Sequence, residues 1–216
     1  MSSMLRVVLC CLVVSCFAHA GVLVPKLVRI PSPAGASAQF GLSVASIGDV
    51  NGDGISDLLV GAPGADKAFV ISGADQTVLR TISDPDGLTG NRFGFAVVAA
   101  GDWNGDGVPD FAVGAPGDEM FLPLPCPGPD PCPPDPASGR VFVFSGSDGA
   151  LIRKITPPVE AIDFGYSLAN LGDVNGDGKP DLAVGMPVHA HFFGSVFAFS
   201  GSNGAASIFF ARLMSK

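Results

Sequence analysis

Charge is scarce in this chain: only 15% of its 216 residues are Asp, Glu, Lys or Arg, against roughly 25% in an average soluble domain. Basic charge is scarcer still, with 12 Lys plus Arg against 20 Asp plus Glu and a formal net charge of -8. That balance repels phosphate backbones and anionic lipid, which excludes nucleic-acid and peripheral-membrane binding. Long apolar runs are lacking too. Although 47% of the residues are apolar, the longest run is Val7 to Ala18, short of the roughly 20 residues that cross a bilayer as a helix. No transmembrane segment is expected. Catalytic signatures are missing: there is no HExxH and no nucleophile elbow. His189 and His191, in VHAHF, alternate in a short loop and read as incidental. There is no Arg-Gly-Asp and no Asn-x-Ser/Thr. What abounds is Gly and Pro, 29 and 19 residues, which calls for many turns and little long helix.

The first twenty residues place Arg6 before the apolar stretch VVLCCLVVSCFA and end on Ala18-His19-Ala20 before Gly21. A positive start, an apolar middle and a small-x-small cleavage site make a secretory signal peptide. Val13-Val14-Ser15-Cys16 also resembles a bacterial lipobox, the rival processing at Cys16. Either route exports the chain, to the medium or the cell surface. Three of the five cysteines lie in this leader, leaving Cys126 and Cys132 in CPGPDPC. An oxidising compartment lets those two close a small disulfide ring. Zinc is the competing reading, without a nearby His or second Cys pair to complete it.

An internal repeat organises the rest. FGLSVASIGDVNGDGISDLLVGAP from Phe40, FGFAVVAAGDWNGDGVPDFAVGAP from Phe93 and FGYSLANLGDVNGDGKPDLAVGMP from Phe164 align without a gap, and twelve of the 24 columns are identical in all three. Each is followed by an aromatic and β-branched run ending in Ser-Gly, from Lys67, Arg140 and Gly194; TVLRTI from Thr77 and ALIRKI from Ala150 come after the first two. The unit reads strand, Asp-rich loop, strand, strand, turn, strand, the size of a propeller blade. Successive units start 53 and 71 residues apart. The extra 18 fall between the second and third strands of the middle unit, within 117–138. Both faces of the strands are apolar, as in Val141/Val143 against Phe142/Phe144, which suits strands sandwiched between neighbouring blades.

Each unit carries D-x-N-x-D-G-x-x-D: Asp49, Asn51, Asp53 and Asp57; Asp102, Asn104, Asp106 and Asp110; Asp173, Asn175, Asp177 and Asp181. If the chain curls, side-chain oxygens at positions 1, 3 and 5 converge, Gly54, Gly107 and Gly178 permit the turn, and the carbonyls of Ile55, Val108 and Lys179 point inward, with the Asp at position 9 adding a carboxylate. An EF-hand needs Glu at position 12, where Val60, Val113 and Val184 stand. Turn chemistry alone accounts for Asn-Gly-Asp-Gly but not for three carboxylates. At ~5 Å and an effective dielectric near 20, each like-charge pair costs on the order of 3 kcal/mol before screening. Calcium is therefore expected at about three sites; a flexible oxygen shell favours it over magnesium, and the absence of His and Cys disfavours transition metals. Without residues 1–20 the formal charge is -9, with nine Asp in the loops.

Phe40-Gly41 with Gly61-Ala62-Pro63, Phe93-Gly94 with Gly114-Ala115-Pro116, and Phe164-Gly165 with Gly185-Met186-Pro187 resemble the FG-GAP repeat, with Met186 a departure from it. The resemblance spans residues 26–205. Integrin α-subunit head domains look like this, as do repeats in glycosylphosphatidylinositol-specific phospholipase D. The resemblance implies blades of a seven-bladed β-propeller, calcium in the hairpins between first and second strands, and adhesion or ligand binding.

The expected fold is all-β, a partial propeller of three four-stranded blades at 26–92, 93–163 and 164–216, the last diverging after Ala205. The expected function is an exported, non-catalytic, calcium-binding adhesion or ligand-binding module for an extracellular protein or glycan. The alternative is an accessory domain or fragment of a secreted hydrolase such as a phospholipase. The 117–138 insertion, with Phe121 and Leu122, is the candidate partner contact. Closed propellers have at least four blades, so either the chain is a truncated product or three-blade pieces associate into a ring. Lys26–Ile30 (KLVRI) resembles a fourth strand and would edge the first blade or close such a ring.

Overall fold

The computed structural model describes residues 29–117, 139–158, 161–189 and 194–210. The chain divides into two compact units, Met1–Ile30 and Pro31–Lys216, and the second holds the repeats. The expected leader, most of the KLVRI run, Cys126 and Cys132 with their pairing, Phe121, Leu122 and His191 lie outside the described residues.

Three four-stranded antiparallel sheets follow one another, each with its strands in simple chain order. Blade 1 holds β1 (Val44–Gly48), β2 (Asp57–Ala62), β3 (Lys67–Ile71) and β4 (Val78–Ser83). Blade 2 holds β5 (Ala96–Gly101), β6 (Asp110–Ala115), β7 (Arg140–Phe144) and β8 (Leu151–Ile155). A short pair, β9 (Ala161–Ile162) with β12 (Val188–His189), flanks blade 3, which holds β10 (Ser167–Gly172), β11 (Asp181–Met186), β13 (Ser195–Phe199) and β14 (Ala206–Phe210). The fold is the expected one: all-β, a partial β-propeller of three blades. The sequence diverges after Ala205, yet β14 still pairs with β13 from Val196↔Phe210 to Phe199↔Ala206, with one register shift.

The inner strand of every blade ends on a bulge. Gly48, Gly101 and Gly172 each skip one residue to face Asp57, Asp110 and Asp181, with φ of 76°, 79° and 66°. The bulge bends the chain sharply into the Asp loop.

Alternate residues of a central strand serve opposite interfaces. Phe111, Val113, Phe142 and Phe144 of blade 2 meet Ile47, Val50, Leu59, Ala68 and Val70 of blade 1. Ala112, Val141 and Val143, on the other side of the same strands, join Phe164, Leu182, Val184, Phe197 and Phe199 of blade 3. Blades 2 and 3 thus each turn a face rich in Phe, the rear face, toward the preceding blade, and blades 1 and 2 each turn a lighter aliphatic face, the forward face, toward the following one. Every position of β6 and β7 is buried, and removing a Phe side chain from water contributes roughly 2–3 kcal/mol.

The Phe-Gly and Gly-Ala-Pro ends of the repeat meet across these interfaces. A Cβ added to Gly61 would lie 1.9 Å from the carbonyl oxygen of Gly94, and one on Gly114 would lie 2.2 Å from that of Gly165. Only glycine lets the two backbones approach so closely. Polar ties reinforce the contact: Asn170 Nδ2 donates to the Ala99 carbonyl at 3.0 Å, and the Val97 N–H to Ser43 Oγ at 3.0 Å.

The expectation of two dry faces holds for the central strands but not for the start of the inner ones. Leu42 and Val44 are 52% and 64% exposed and Tyr166 is 37% exposed. They lie on the free edge of the sheets, where Leu42, Phe95, Tyr166 and Leu168 line an open hollow of about 350 Å³.

Candidate metal centre

Each Asp loop joins the first two strands of its blade, and its curl is held by its own backbone amides. In the first loop Asp49 Oδ1 accepts from the Gly52 and Asp53 N–H groups at 2.7 and 3.1 Å, and Oδ2 from Gly54 at 2.7 Å. Asn51 Oδ1 accepts from the Asp53 N–H at 2.9 Å while its amide donates to Asp53 Oδ2 at 2.8 Å. Asp53 Oδ1 in turn takes the Ile55 N–H at 2.8 Å. The pattern recurs in the second loop, where Asp102 accepts from Gly105 and Gly107, Asn104 from Asp106, and Asp106 from Val108. In the third, Asp173 accepts from Gly176, Asp177 and Gly178, Asn175 from Asp177, and Asp177 from Lys179.

These amides act as stand-in positive charge. They hold the Asp49 carboxyl below its ordinary range, the Gly54 N–H contributing most. The Val108 N–H does the same for Asp106.

The Asp at position 9 is the buried carboxylate of each loop. Asp57, Asp110 and Asp181 are buried. Asp57 Oδ2 accepts from the Val50 N–H at 2.9 Å and Oδ1 from Gly73 at 3.0 Å. Asp110 takes Trp103, Asn104 and Gly146, and Asp181 takes Val174 and Gly201. This residue therefore clamps the loop to the turn between the third and fourth strands. Burial pushes the Asp110 carboxyl up, against the pull of those amides.

The clamp also explains the Ser-Gly that closes each third-strand run: a Cβ on Gly73, Gly146 or Gly201 would come within 2.0, 1.8 or 2.1 Å of the carbonyl of Ser56, Pro109 or Pro180.

The match to known proteins follows the same residues. Segments 40–78 and 164–209 match the FG-GAP repeat family. The chain is an FG-GAP repeat protein. It is similar to integrin alpha-7 of Rattus norvegicus, 35% identical over 164 residues, which is 68% of this chain and 12% of that protein. It is also similar to phosphatidylinositol-glycan-specific phospholipase D of Bos taurus, 35% identical over 64% of this chain and 18% of that protein. This FG-GAP chain thus spans under a fifth of the length of these relatives. Among solved structures, a rhamnogalacturonan lyase of Bacillus licheniformis aligns with 87% of this chain and 36% of its own, at 15% identity and a TM-score of 0.46.

The FG-GAP loops present oxygen donors alone, in three copies. Among the described residues no three His, Cys, Asp or Glu side chains are drawn together as a metal cluster, because the carboxylates are folded onto loop amides. Each ionised carboxylate still has about four lone-pair sites, more than the amides occupy. The donor set therefore fits a hard cation.

Three contributors escaped sequence reasoning. Ser147 Oγ donates to Asp106 Oδ2 at 2.8 Å, and Ser200 and Ser202 donate to Asp177 Oδ2 at 2.8 and 2.6 Å. The Ser202 and Ser200 hydroxyls, in that order, bring the Asp177 carboxyl down to about 2. Their signal was the Ser-Gly-Ser after two of the three third strands; blade 1 has Ala74 in the position of Ser147 and Ser202.

Among the described residues no helix is long and apolar enough to cross a membrane.

Proposed function

We propose that this chain is an exported, calcium-binding and non-catalytic FG-GAP module that serves adhesion or ligand binding. The observation that supports it most is the threefold recurrence of one curled, all-oxygen Asp loop. In this reading Asp49, Asn51, Asp53, the Ile55 carbonyl and Asp57 hold one ion. Asp102, Asn104, Asp106, the Val108 carbonyl and Asp110 hold the second; Asp173, Asn175, Asp177, the Lys179 carbonyl and Asp181 the third. Calcium supplies there the positive charge that three carboxylates in one hairpin need, and ties each loop to the blade behind it. The integrin alpha relatives support the adhesion reading, with an extracellular protein or glycan as partner; the leader sequence supports secretion or cell-surface display.

The similarity to a phospholipase D favours a second reading, in which these blades are the accessory part of a secreted hydrolase. Calorimetric titration of calcium with thermal unfolding tests the central point: about three sites and a raised Tm are expected. A Tm unmoved by chelator defeats the calcium reading. A hydrolase screen separates the two functional readings, since turnover would favour the second.

A further inference from the structure

The three Asp loops differ in charge at one position, the seventh, which holds Ile55, Val108 and Lys179. In blades 2 and 3 the fold carries that residue to the blade behind. Pro109 and Pro180, at position 8, seat their rings on Gly48 and Gly101 of the preceding blade, 3.0 and 2.6 Å from where a Cβ would stand. Val108, the residue before the first ring, packs against the apolar cluster that joins blades 1 and 2. Lys179, the residue before the second, brings an ammonium to the second loop.

That ammonium meets the loop's own oxygens. Lys179 Nζ donates to the Asp102 carbonyl at 3.3 Å and stands 4.0 Å from Asp102 Oδ1. It also lies 3.0 Å from where a Cβ on Gly105 would be. Asp106 feels the charge as well: the Val108 N–H does most to hold its carboxyl low, then the Ser147 and Asn104 side chains, and Lys179 adds to them. Among the described residues no other loop carboxylate has an ion pair with Lys or Arg. The Lys179 backbone meanwhile stays in the third loop, where its N–H donates to Asp177 Oδ1 at 3.0 Å.

We propose that Lys179 is a tethered cation seated at the second loop, where it competes with calcium and makes this loop the last of the three to fill. The inference rests on the calcium reading, in which Asp102 and Asp106 hold the second ion while the Lys179 carbonyl serves the third. An ammonium is a single charge with donors and no acceptor, on a flexible stem. It partly neutralises the loop without completing an oxygen shell, and a divalent ion entering the loop has to push it aside. The Lys179 and Asp102 side chains are 28% and 35% exposed, so water screens part of the repulsion. The expected penalty on calcium affinity at the second loop is roughly fivefold to tenfold.

The molecule holds its own reporter for this loop. Trp103, the one Trp of the chain, follows Asp102 directly, and Val50 and Val174 take its place in the other loops. Terbium, an oxygen-binding ion close to calcium in size, luminesces when an excited indole stands beside it. Terbium titration with excitation at the red edge of the indole band, then displacement by calcium, reads the affinity of the second loop, and calorimetry counts all the calcium bound. In the wild type the Trp103 signal is expected to follow the weakest calcium phase. Lys179→Met keeps the backbone carbonyl and removes the charge, and is expected to tighten calcium at the second loop by roughly fivefold to tenfold. Lys179→Arg is expected to stay weak. Lys154→Met, which removes an ammonium paired with Asp86, controls for net charge and is expected to leave the signal in place. A loop merely propped by Lys179 would bind less tightly in Lys179→Met, the opposite direction.

A wild-type Trp103 signal that saturates with the first ion bound overturns the proposal, as does a Lys179→Met protein whose second loop is no tighter. An equal shift in Lys154→Met overturns it too, because net charge would then account for the effect. Calorimetry separates this failure from that of the calcium reading: calcium bound at all three loops with no effect of Lys179 defeats the competition alone, whereas no calcium bound in either wild type or Lys179→Met defeats both.

Discussion

Blade 2 and blade 3 share a sequence pattern and differ in surroundings. Val141 and Trp103 are buried in blade 2; Val196 and Val174, in the same columns, are 41% and 50% exposed in blade 3. The heavy rear faces do not differ in this way: Phe142 and Phe197 are 0% and 4% exposed. The repeat thus encodes a Phe-rich rear and a light forward face, and what stands in front decides whether the forward face is dry. The sharpest way to break this comparison is at the interlocking glycines. Gly114→Ala drives a Cβ into the Gly165 carbonyl, a backbone atom that cannot move aside, whereas Gly185→Ala meets Ser167 Oγ, the end of a side chain that can rotate. Gly114→Ala is expected to cost roughly 3 kcal/mol and Gly185→Ala well under half of that, read by urea unfolding. Equal costs would mean that the interlock does not carry the blade 2–blade 3 contact.

The Asp loops make the opposite comparison, because they are built from their own blade and so are expected to be alike in blades 1 and 3. With calcium at a hundredfold excess over Kd, a site that binds only the folded state contributes about 2.7 kcal/mol. Asp53→Ala and Asp173→Ala are each expected to forfeit most of that in calcium and little in chelator. Thermal melts of the two variants in both conditions check it; a loss that is the same with chelator as with calcium would leave these carboxylates a purely structural role.

A smaller effect returns to the strand faces. Val141→Ala removes two buried carbons, at about 0.8 kcal/mol each, so about 1.5 kcal/mol or somewhat more is expected. Val196→Ala, at an exposed position, is expected to stay within about 0.5 kcal/mol. Chemical denaturation of both at low concentration sharpens the contrast; an equal loss at Val196 would place a cover over blade 3 within the chain itself.

How much of this was readable beforehand follows from sequence distance. The strand order, the three blades and the two-faced alternation all lie in local periodicity, so the runs from Phe40, Phe93 and Phe164 sufficed. The loop residues were legible for the same reason, being nine consecutive positions. The clamp made by Asp57, Asp110 and Asp181 was not, because their amide partners Gly73, Gly146 and Gly201 sit on the next turn and only the folded sheet brings them together. The bareness of Leu42 and Val44 was hidden too: apolarity in a column says which face a residue belongs to, and burial needs a neighbour.

Ser202 is the clearest case of a residue read only from the fold, 25 positions from the carboxylate it holds, and it allows the finest test of the loops. Its hydroxyl, with that of Ser200, brings Asp177 down to about 2 from an ordinary 3.8. A carboxyl depressed in the folded state stabilises above its unfolded pKa, and that contribution fades as pH falls from about 3.8 through about 2. Ser202→Ala raises the Asp177 pKa toward the ordinary value, so in chelator the acid-unfolding limb is expected to move to higher pH. In blade 1, where Ala74 occupies the equivalent turn position, Ala74→Ser would supply the missing hydroxyl to Asp53 and is expected to move the limb to lower pH. Circular dichroism across an acid titration reads both shifts, and two variants with an unmoved limb would show that the Ser-Gly-Ser turn packs beside the loop without holding its charge.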